Sequence, residues 1–529
     1  MKSDLINPVV RRIASIDLGT NSFHAVIVDI HADGSFYTID KLKEMVLLAE
    51  KGVGERLSEG AMKRGLEALQ KIKTLCDHQN TELILAFATS AIREAENGGE
   101  FIQRAIDEVG LKINAIPGRV EAELIGLAVQ HGVNLPVDKP ALMMDIGGGS
   151  VEFIIADREK FYFLASKKLG VARMAAKFVD HDPVTVNEIE TLKQHFKEKL
   201  EDVAQAFAGN RTKTLIGSSG TMENIAAMIA YKNDKIPSLT LNELEFSAKQ
   251  FFKFYDKVVR MSRDERAKLK GVDEKRIDLL IPGLVLINYM LKTFGIKKVI
   301  ISSQALREGI IIRHIQRELP ELKKQISDPD PRRRSVFELL HKCHWHETHS
   351  RHVTWMALKI FDALQDDLGL SGQDRELLEF ASYLHDIGYH ISHRKHHKHA
   401  LYLIRNADLK GFKEEEIEIM ANVARYHRRS TPKSRHKYYD RLSNDLKKRV
   451  MALSAILRVA DGLDRSHYQN VRKLAIEKDD ERITFKISTE SDPDLEIWGA
   501  MRKNNLFEEI TGKTLEIEPV ETGQVITVG

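Results

Sequence analysis

Along the first three-fifths of the chain, apolar runs of strand length alternate with stretches whose apolar positions recur at helical spacing. Ala141-Leu142-Met143-Met144 reads as a buried strand that delivers Asp145 to its end. Gly147-Gly148-Gly149 then turn the chain, and Val151 to Ile155 resumes as a strand. The same figure stands near the N-terminus, in Ile16-Asp17-Leu18-Gly19-Thr20-Asn21-Ser22 followed by Ala25 to Asp29. Setting Asp17 on Asp145, 128 positions away, also pairs Gly19 with Gly147, Ser22 with Ser150, Ile27 with Ile155 and Asp29 with Asp157. Five coincidences in register predict duplicated α/β halves that face each other across a cleft.

Between and after these hairpins the elements follow in order. Leu57 to Cys76 has helical spacing with Ser58 as its N-cap. Leu83 to Ala88 is a buried strand that ends in a switch to helix at Thr89-Ser90-Ala91-Ile92-Arg93-Glu94-Ala95. Open α/β sheets place ligands at such carboxyl ends. Lys112 to Ile116 is a further strand, and Glu121 opens the helix that continues from Leu124 to Gln130. Leu279 to Leu291 reads as a buried helix or strand, too short to span a bilayer. Lys298 to Ile301 and a helix from Gln304 complete this part. Ser327-Asp-Pro-Asp-Pro331 reads as a linker.

Beyond it histidines crowd between His341 and His467, on helical spacing: His349 at the start of a helix Ser350 to Leu368, then Phe380 to His385-Asp386, His396 and His399, His427, and Asp461 after Val459-Ala460. The tail from Val471 alternates apolar and polar residues, turns helical around Trp498 to Ile510 and returns to strand character at Thr514 to Ile517. The expected organisation is residues 1–130 and 131–326 as the two α/β halves, 332–470 as an all-α domain and 471–529 as a small α+β domain.

Composition narrows the class. The 529 residues are 43% hydrophobic and 30% charged, which suits a globular protein with ample core. A formal charge of +3 identifies no polyanionic partner by itself, so any basic surface must be local. Only Cys76 and Cys343 occur, which excludes a disulfide scaffold and suits a reducing compartment. Met1 to Arg12 lacks the apolar core of a signal peptide. These features predict a cytoplasmic protein.

The candidate chemistry is phosphate chemistry. Main-chain N–H groups of a glycine-rich turn can form an anion-binding nest, and Arg93 is a fixed-charge bidentate donor. An acid in a helix's first turn, such as Glu121, ordinarily only compensates the helix dipole.

The set Ile16 to Ser22, Ala88 to Ala95, Pro117-Gly-Arg-Val-Glu-Ala122 and Asp145 to Ser150, continued by Leu169-Gly-Val-Ala-Arg173, Gly217-Ser-Ser-Gly-Thr221 and Ala305-Leu-Arg-Glu-Gly309, resembles the exopolyphosphatase / guanosine pentaphosphate phosphohydrolase family. That family belongs to the superfamily of actin, sugar kinases and heat-shock chaperone ATPases. The resemblance implies duplicated actin-like (ribonuclease H-like) domains and hydrolytic removal of a terminal phosphoryl group. It implies Glu121 as the general base, and Asp17, Asp145 and Glu152 toward Mg²⁺. Gly19, Thr20, Asn21, Ser22, Arg93, Gly147, Gly148, Gly149, Ser150, Gly217, Ser218, Ser219, Gly220 and Thr221 would hold phosphate oxygens. Val120 stands where family members often carry a second glutamate. That favours Glu121 over Glu123, although spacing alone does not separate the two.

In the helical segment the order His, His-Asp, His, Asp resembles the HD phosphohydrolase superfamily. This implies that His349, His385, Asp386 and Asp461 ligate a divalent metal, and such donors suit Mn²⁺, Fe²⁺, Zn²⁺ or Ni²⁺ rather than Mg²⁺ alone. Two basic runs, His393 to His399 and Arg425 to Lys437, form an electrostatic track for a polyanion. The expected substrate is inorganic polyphosphate, with guanosine pentaphosphate as the alternative. Two further alternatives are a nucleotide phosphohydrolase centred on His385-Asp386 and a non-catalytic polyphosphate or alarmone sensor. No membrane partner and no specific nucleic acid is expected, and the apolar edges of the tail suit a homodimer.

Overall fold

The computed structural model describes residues 8–48, 56–137, 139–232, 241–323 and 330–520. Residues 327–329 of the expected linker, the first seven residues and the end of the tail lie outside the described residues. The chain divides into two compact units, Met1–Pro331 and Arg332–Gly529.

In the first unit, β1 (Val9–Leu18), β2 (Ser22–His31), β3 (Phe36–Met45), β4 (Leu83–Ala88) and β5 (Ile113–Ala115) form a sheet in the order β3-β2-β1-β4-β5. β1, β2 and β3 are antiparallel neighbours, whereas β4 and β5 are added in parallel. A second sheet contains β6 (Ala141–Ile146), β7 (Val151–Ala156), β8 (Phe161–Lys167), β9 (Thr214–Ser218), β10 (Glu245–Ser247) and β11 (Lys298–Ile301), ordered β10-β11-β9-β6-β7-β8. From β8 inward it repeats the first sheet: three antiparallel strands and then two parallel ones. β10 is an added antiparallel edge.

The repeat extends to single bonds. Gly19 N–H donates to Ser22 O at 3.2 Å, and Gly147 N–H donates to Ser150 O at 3.0 Å, so both hairpins turn on the same bond. Two α/β halves of the actin-like kind thus arise from one sequence figure used twice.

Two helices cover sheets across the expected division at residue 130. The helix Gly118–Gly132 lies on β7 and β8 of the second sheet, and its Ala122, Leu124, Ile125 and Val129 share one apolar cluster with Met143 and Ile154. The helix Leu306–Glu318 returns to the first sheet, where Ile311, Ile312 and Ile315 cover Ile13, Val26, Val28 and Ile30. Each sheet therefore borrows a helix from beyond its expected segment, because its open apolar face needs cover that the segment itself does not supply. The two helices also pack on each other. A Cβ on Gly309 would stand 1.9 Å from Leu124 O, so only glycine permits this crossing.

The second unit is built from Pro331–Lys342, Glu347–Leu364, Gly372–Leu384, His396–Asn406, Glu414–Tyr426 and Asn444–Gly462. They are followed by β12 (Val471–Lys478), β13 (Arg482–Thr489), the helices Asp494–Met501 and Asn505–Thr511, and β14 (Thr514–Pro519). β12 and β13 are antiparallel, and β14 is added in parallel to β13. The tail does not form a core of its own. Leu474, Ile483, Phe485, Ile487 and Phe507 belong to one continuous cluster with the helical residues Phe361, Leu384 and Leu457. Three strands with one apolar face need a partner layer to be stable, and the helices provide it.

Candidate functional site

The sequence delivers four carboxylates to one place. β1 and β6 end at Asp17 and Asp145, which are placed by the apolar strand residues before them. In the two hairpins Asp17 faces His24, and Asp145 faces Glu152 across the ladder. Glu121 enters from the first turn of its helix and is only 6% exposed. These residues line a cavity of ≈ 420 Å³ together with Gly19, Thr20, Asn21, Ser22, Gly147, Gly148, Ser150, Ser219, Gly220 and Thr221.

Four expected residues do not line it. Gly217 lies in β9 behind the cavity, packed against Met222, and Ser218 donates its hydroxyl to Asp145 Oδ2 at 2.5 Å. Gly149 presents its carbonyl to Arg173 Nε at 3.0 Å. Arg93 is committed to Glu121, 2.8 Å from its Oε2, and also donates to Ile116 O at 2.8 Å. It orients the acid from behind. Its neighbour Glu94 is held by Arg173 and Lys168, each at 2.9 Å.

The turn amides divide as well. Gly19 N–H and Gly147 N–H are used inside their hairpins, whereas the N–H groups of Thr20, Asn21, Gly148 and Gly149 have no backbone acceptor among the described residues. The carbonyls of Gly147 and Gly148 accept from Val171, Ala172 and Arg173 at the start of the helix Val171–Phe178. That anchors the glycine turn to a rigid element.

The electrostatics are strongly polarised. Burial pushes Asp17 up to about 7, partly offset by Arg307 and reinforced by Asp145. Burial likewise pushes Glu121 up to about 7, against the pull of Arg93. Asp145 is raised by burial, with its Ser218 hydrogen bond opposing. Glu152 is raised well above the usual carboxylate range by burial and by repulsion from Glu121 and Asp145, although Ser166 donates to it at 2.7 Å. A basic group faces these acids that sequence reading assigned no role: Lys43, Arg276 and Arg307, all lining the cavity. With burial, they hold the His24 imidazole down to about 3. Arg307 stands inside the motif Ala305 to Gly309, the one sequence signal for this group. Lys43 lies on an edge strand and Arg276 follows no motif.

Glu121 and Glu123, which spacing leaves open, are separated by their partners. Glu123 is taken by Arg313 at 2.6 Å, on the opposite side of its helix from the cavity. Of the two, only Glu121 lines the cavity.

The second unit brings together His349, His385, Asp386 and Asp461. His349 is 2% and His385 0% exposed. Their Nε2 atoms lie 3.7 and 3.5 Å from Asp386 Oδ2 and 3.6 and 3.7 Å from Asp461 Oδ1, with no hydrogen-bond partner. His349 Nδ1 pairs with Asp464 at 2.7 Å, and His385 Nδ1 with Ser382 O at 2.7 Å. The basic runs are only partly a solvated track. His396, His397 and His427 turn inward, whereas Arg394, Lys395, Lys398, Arg429, Lys433, Arg435 and Lys437 remain exposed. Their inward turn is a consequence of helix packing that a charge count does not show.

A cleft between two actin-like halves, with free turn amides, a positioned carboxylate and a basic wall, defines a phosphate-handling enzyme. Residues 26–318 match the Ppx/GppA phosphatase family, and residues 332–506 match Ppx/GppA phosphatase, domain III. The chain belongs to the Ppx/GppA phosphatase family and is a hydrolase of phosphoanhydride bonds. A relative from Photobacterium profundum, a guanosine-5'-triphosphate,3'-diphosphate pyrophosphatase, is 29% identical over 79% of this chain and 81% of its own. An exopolyphosphatase from Cytophaga hutchinsonii superposes with a TM-score of 0.55, at 32% identity, over 58% of this chain and 98% of its own. The Aquifex aeolicus family member does so with a TM-score of 0.51, at 27% identity, over 59% and 99%.

Proposed function

We propose that the chain removes the terminal phosphoryl group of inorganic polyphosphate and releases orthophosphate, with Glu121 as general base. The observation that carries this reading is the Arg93–Glu121 pair, which fixes the carboxylate toward the turn amides and leaves it poised near neutral pH. A base with a pKa close to the working pH combines availability with proton affinity. Glu121 takes a proton from a water molecule as its oxygen bonds to the terminal phosphorus. The anhydride P–O bond breaks, and its electron pair leaves on the bridging oxygen. The free amides of Thr20, Asn21, Gly148 and Gly149 hold non-bridging oxygens, and Lys43, Arg276 and Arg307 balance the charge of the following phosphates. Phosphoryl transfer needs chiefly this positioning and neutralisation.

Asp17, Asp145 and Glu152 offer only oxygens and repel one another in a buried space, a donor set that fits a hard cation such as Mg²⁺. When bound, Mg²⁺ supplies charge neutralisation at the phosphate oxygens.

Polyphosphate is placed ahead of guanosine pentaphosphate because the exposed basic residues of the second unit, among them Arg394, Lys395 and Lys398, suit a polyanion. The Photobacterium relative supports the nucleotide instead. The reaction is assigned to the cytoplasm on cysteine usage, and no helix among the described residues is long and apolar enough to cross a membrane. Exposed Leu495 and Trp498 give an apolar face for the expected homodimer, which sedimentation checks.

A second reading rests on the unpartnered Nε2 atoms of His349 and His385. With Asp386 and Asp461 they would hold a divalent transition metal, the HD-type site. Phosphate release from both substrates, compared among wild type, Glu121→Gln and His385→Ala, decides. Loss in the glutamate variant alone supports the cleft, and loss in the histidine variant alone overturns it.

A further inference from the structure

The two hairpins of the first unit agree at their serines, Ser22 and Ser150, and differ two residues later. His24 stands in the first half where Glu152 stands in the second, each the ladder partner of the strand-end aspartate. Ser150 donates its hydroxyl to Glu152. In the first half the direction is reversed. Arg307 Nη1 meets Nδ1 of His24, and Nε2 of the same ring is 2.7 Å from Ser22 Oγ. A guanidinium only donates, so Nδ1 accepts, and the ring is neutral with its proton on Nε2. Burial and the cations Arg307 and Lys43 keep it neutral as well. The Nε2–H group therefore donates to Ser22 Oγ. Ser22 keeps its own proton, and its hydroxyl has no other hydrogen-bond partner among the described residues. Ser22, His24 and Arg307 all line the cavity.

We propose that His24 is a positioning residue for the phosphate chain. Arg307, His24 and Ser22 form a one-way series of hydrogen bonds that ends with the Ser22 hydroxyl donating to a non-bridging phosphate oxygen. The inference rests on the cleft as the reaction site and deepens that reading. A serine hydroxyl left to itself rotates between donor and acceptor roles. Here the imidazole occupies its lone pair, so a donor stands ready before the anion arrives, and such a donor needs no reorganisation. The cationic end of the series polarises each bond toward the anion.

Phosphate release from polyphosphate and from guanosine pentaphosphate is measured with Mg²⁺ on the full chain. Wild type is compared with Ser22→Ala, His24→Leu, their double variant, His24→Gln, His24→Asn and Glu121→Gln. Glutamine places an N–H where Nε2 stands, whereas asparagine places only an acceptor where Nδ1 stands. Ser22→Ala and His24→Leu should each raise KM about ten- to hundredfold with kcat little changed, as for one hydrogen bond to a charged group. The double variant should lose no more than either single one, because the two residues act as a unit. His24→Gln should recover most of the loss and His24→Asn little of it. Additive losses, or recovery by asparagine and not by glutamine, overturn the series and leave His24 an anchor for Arg307 alone. If Glu121→Gln keeps full turnover, the cleft reading itself falls. If Glu121→Gln is inactive, a result against the series counts against His24 only. The glutamine and asparagine variants keep a polar side chain in place, so their comparison decides even where His24→Leu fails to fold.

Discussion

Burial pushes the Glu121 carboxyl up, and Arg93 pulls it back down. Glu121→Gln keeps the shape and the Arg93 contact but removes the base. It should lower kcat for phosphate release by about 10²–10⁴ with KM little changed, whereas Glu123→Gln should leave kcat near wild type. The pH dependence follows from the same pair. The base works deprotonated, so kcat/KM should rise with pH through a limb near 7 in wild type. Arg93→Ala removes the group that lowers this pKa and should move the limb to higher pH. A limb that stays in place would break the link between Arg93 and the base.

At the scale of elements, two contacts are exacting. The helices Asn444–Gly462 and Asp494–Met501 meet backbone to backbone: a Cβ on Gly462 would stand 2.5 Å from Ala500 Cα, and one on Gly499 would stand 2.5 Å from Gly462 O. Gly499→Ala should therefore destabilise the second unit by about 1–3 kcal/mol, the usual cost of overpacking, read from thermal unfolding. The helix Val186–Lys199 begins with a capping box in which Glu188 receives the N–H and hydroxyl of Thr185. Burial alone would raise Glu188, but these bonds outweigh it and hold its pKa near 2, below the usual 4.5. A depressed acid stabilises the fold above about pH 4.5 and loses that contribution as pH falls through about 2. Denaturant titrations of wild type and Glu188→Gln should differ at pH 7, by about 1 kcal/mol as for other caps, and converge below about pH 2.

For the molecule as a whole, metal loading is a stability measurement. A ligand that binds only the folded chain stabilises it by about 2.7 kcal/mol at a hundred times its Kd. Mn²⁺ should raise the melting temperature of the wild type. His385→Ala should show a smaller rise, since the cleft acids are still present.

Much of the architecture was legible along the chain. The strands Leu83–Ala88 and Lys298–Ile301 and the Ser58 cap stand where apolar runs and capping residues put them. The hairpin repeat also yields its pairing, since a two-stranded turn has few registers. β3 is not legible as a strand, because it flanks its sheet at an edge and leaves no apolar run; β8, also at an edge, has the apolar run Phe161 to Ala165 but no fully buried residue. Helical spacing at Leu279 to Leu291 did not separate helix from strand, and burial on all sides explains why.

By itself the sequence determined the strand, aspartate and glycine-turn figure and how often it occurs, because turns, caps and alternation are local. Tertiary structure alone gave Glu123 and Glu121 different surroundings, through Arg313 and Arg93, 190 and 28 positions away from the glutamates they hold. It also set Lys43, Arg276 and Arg307 opposite the acids, turned His396 and His427 inward, and exchanged the covering helices between the sheets. Such pairings join residues far apart in the chain, and only the burial of apolar faces brings them into contact.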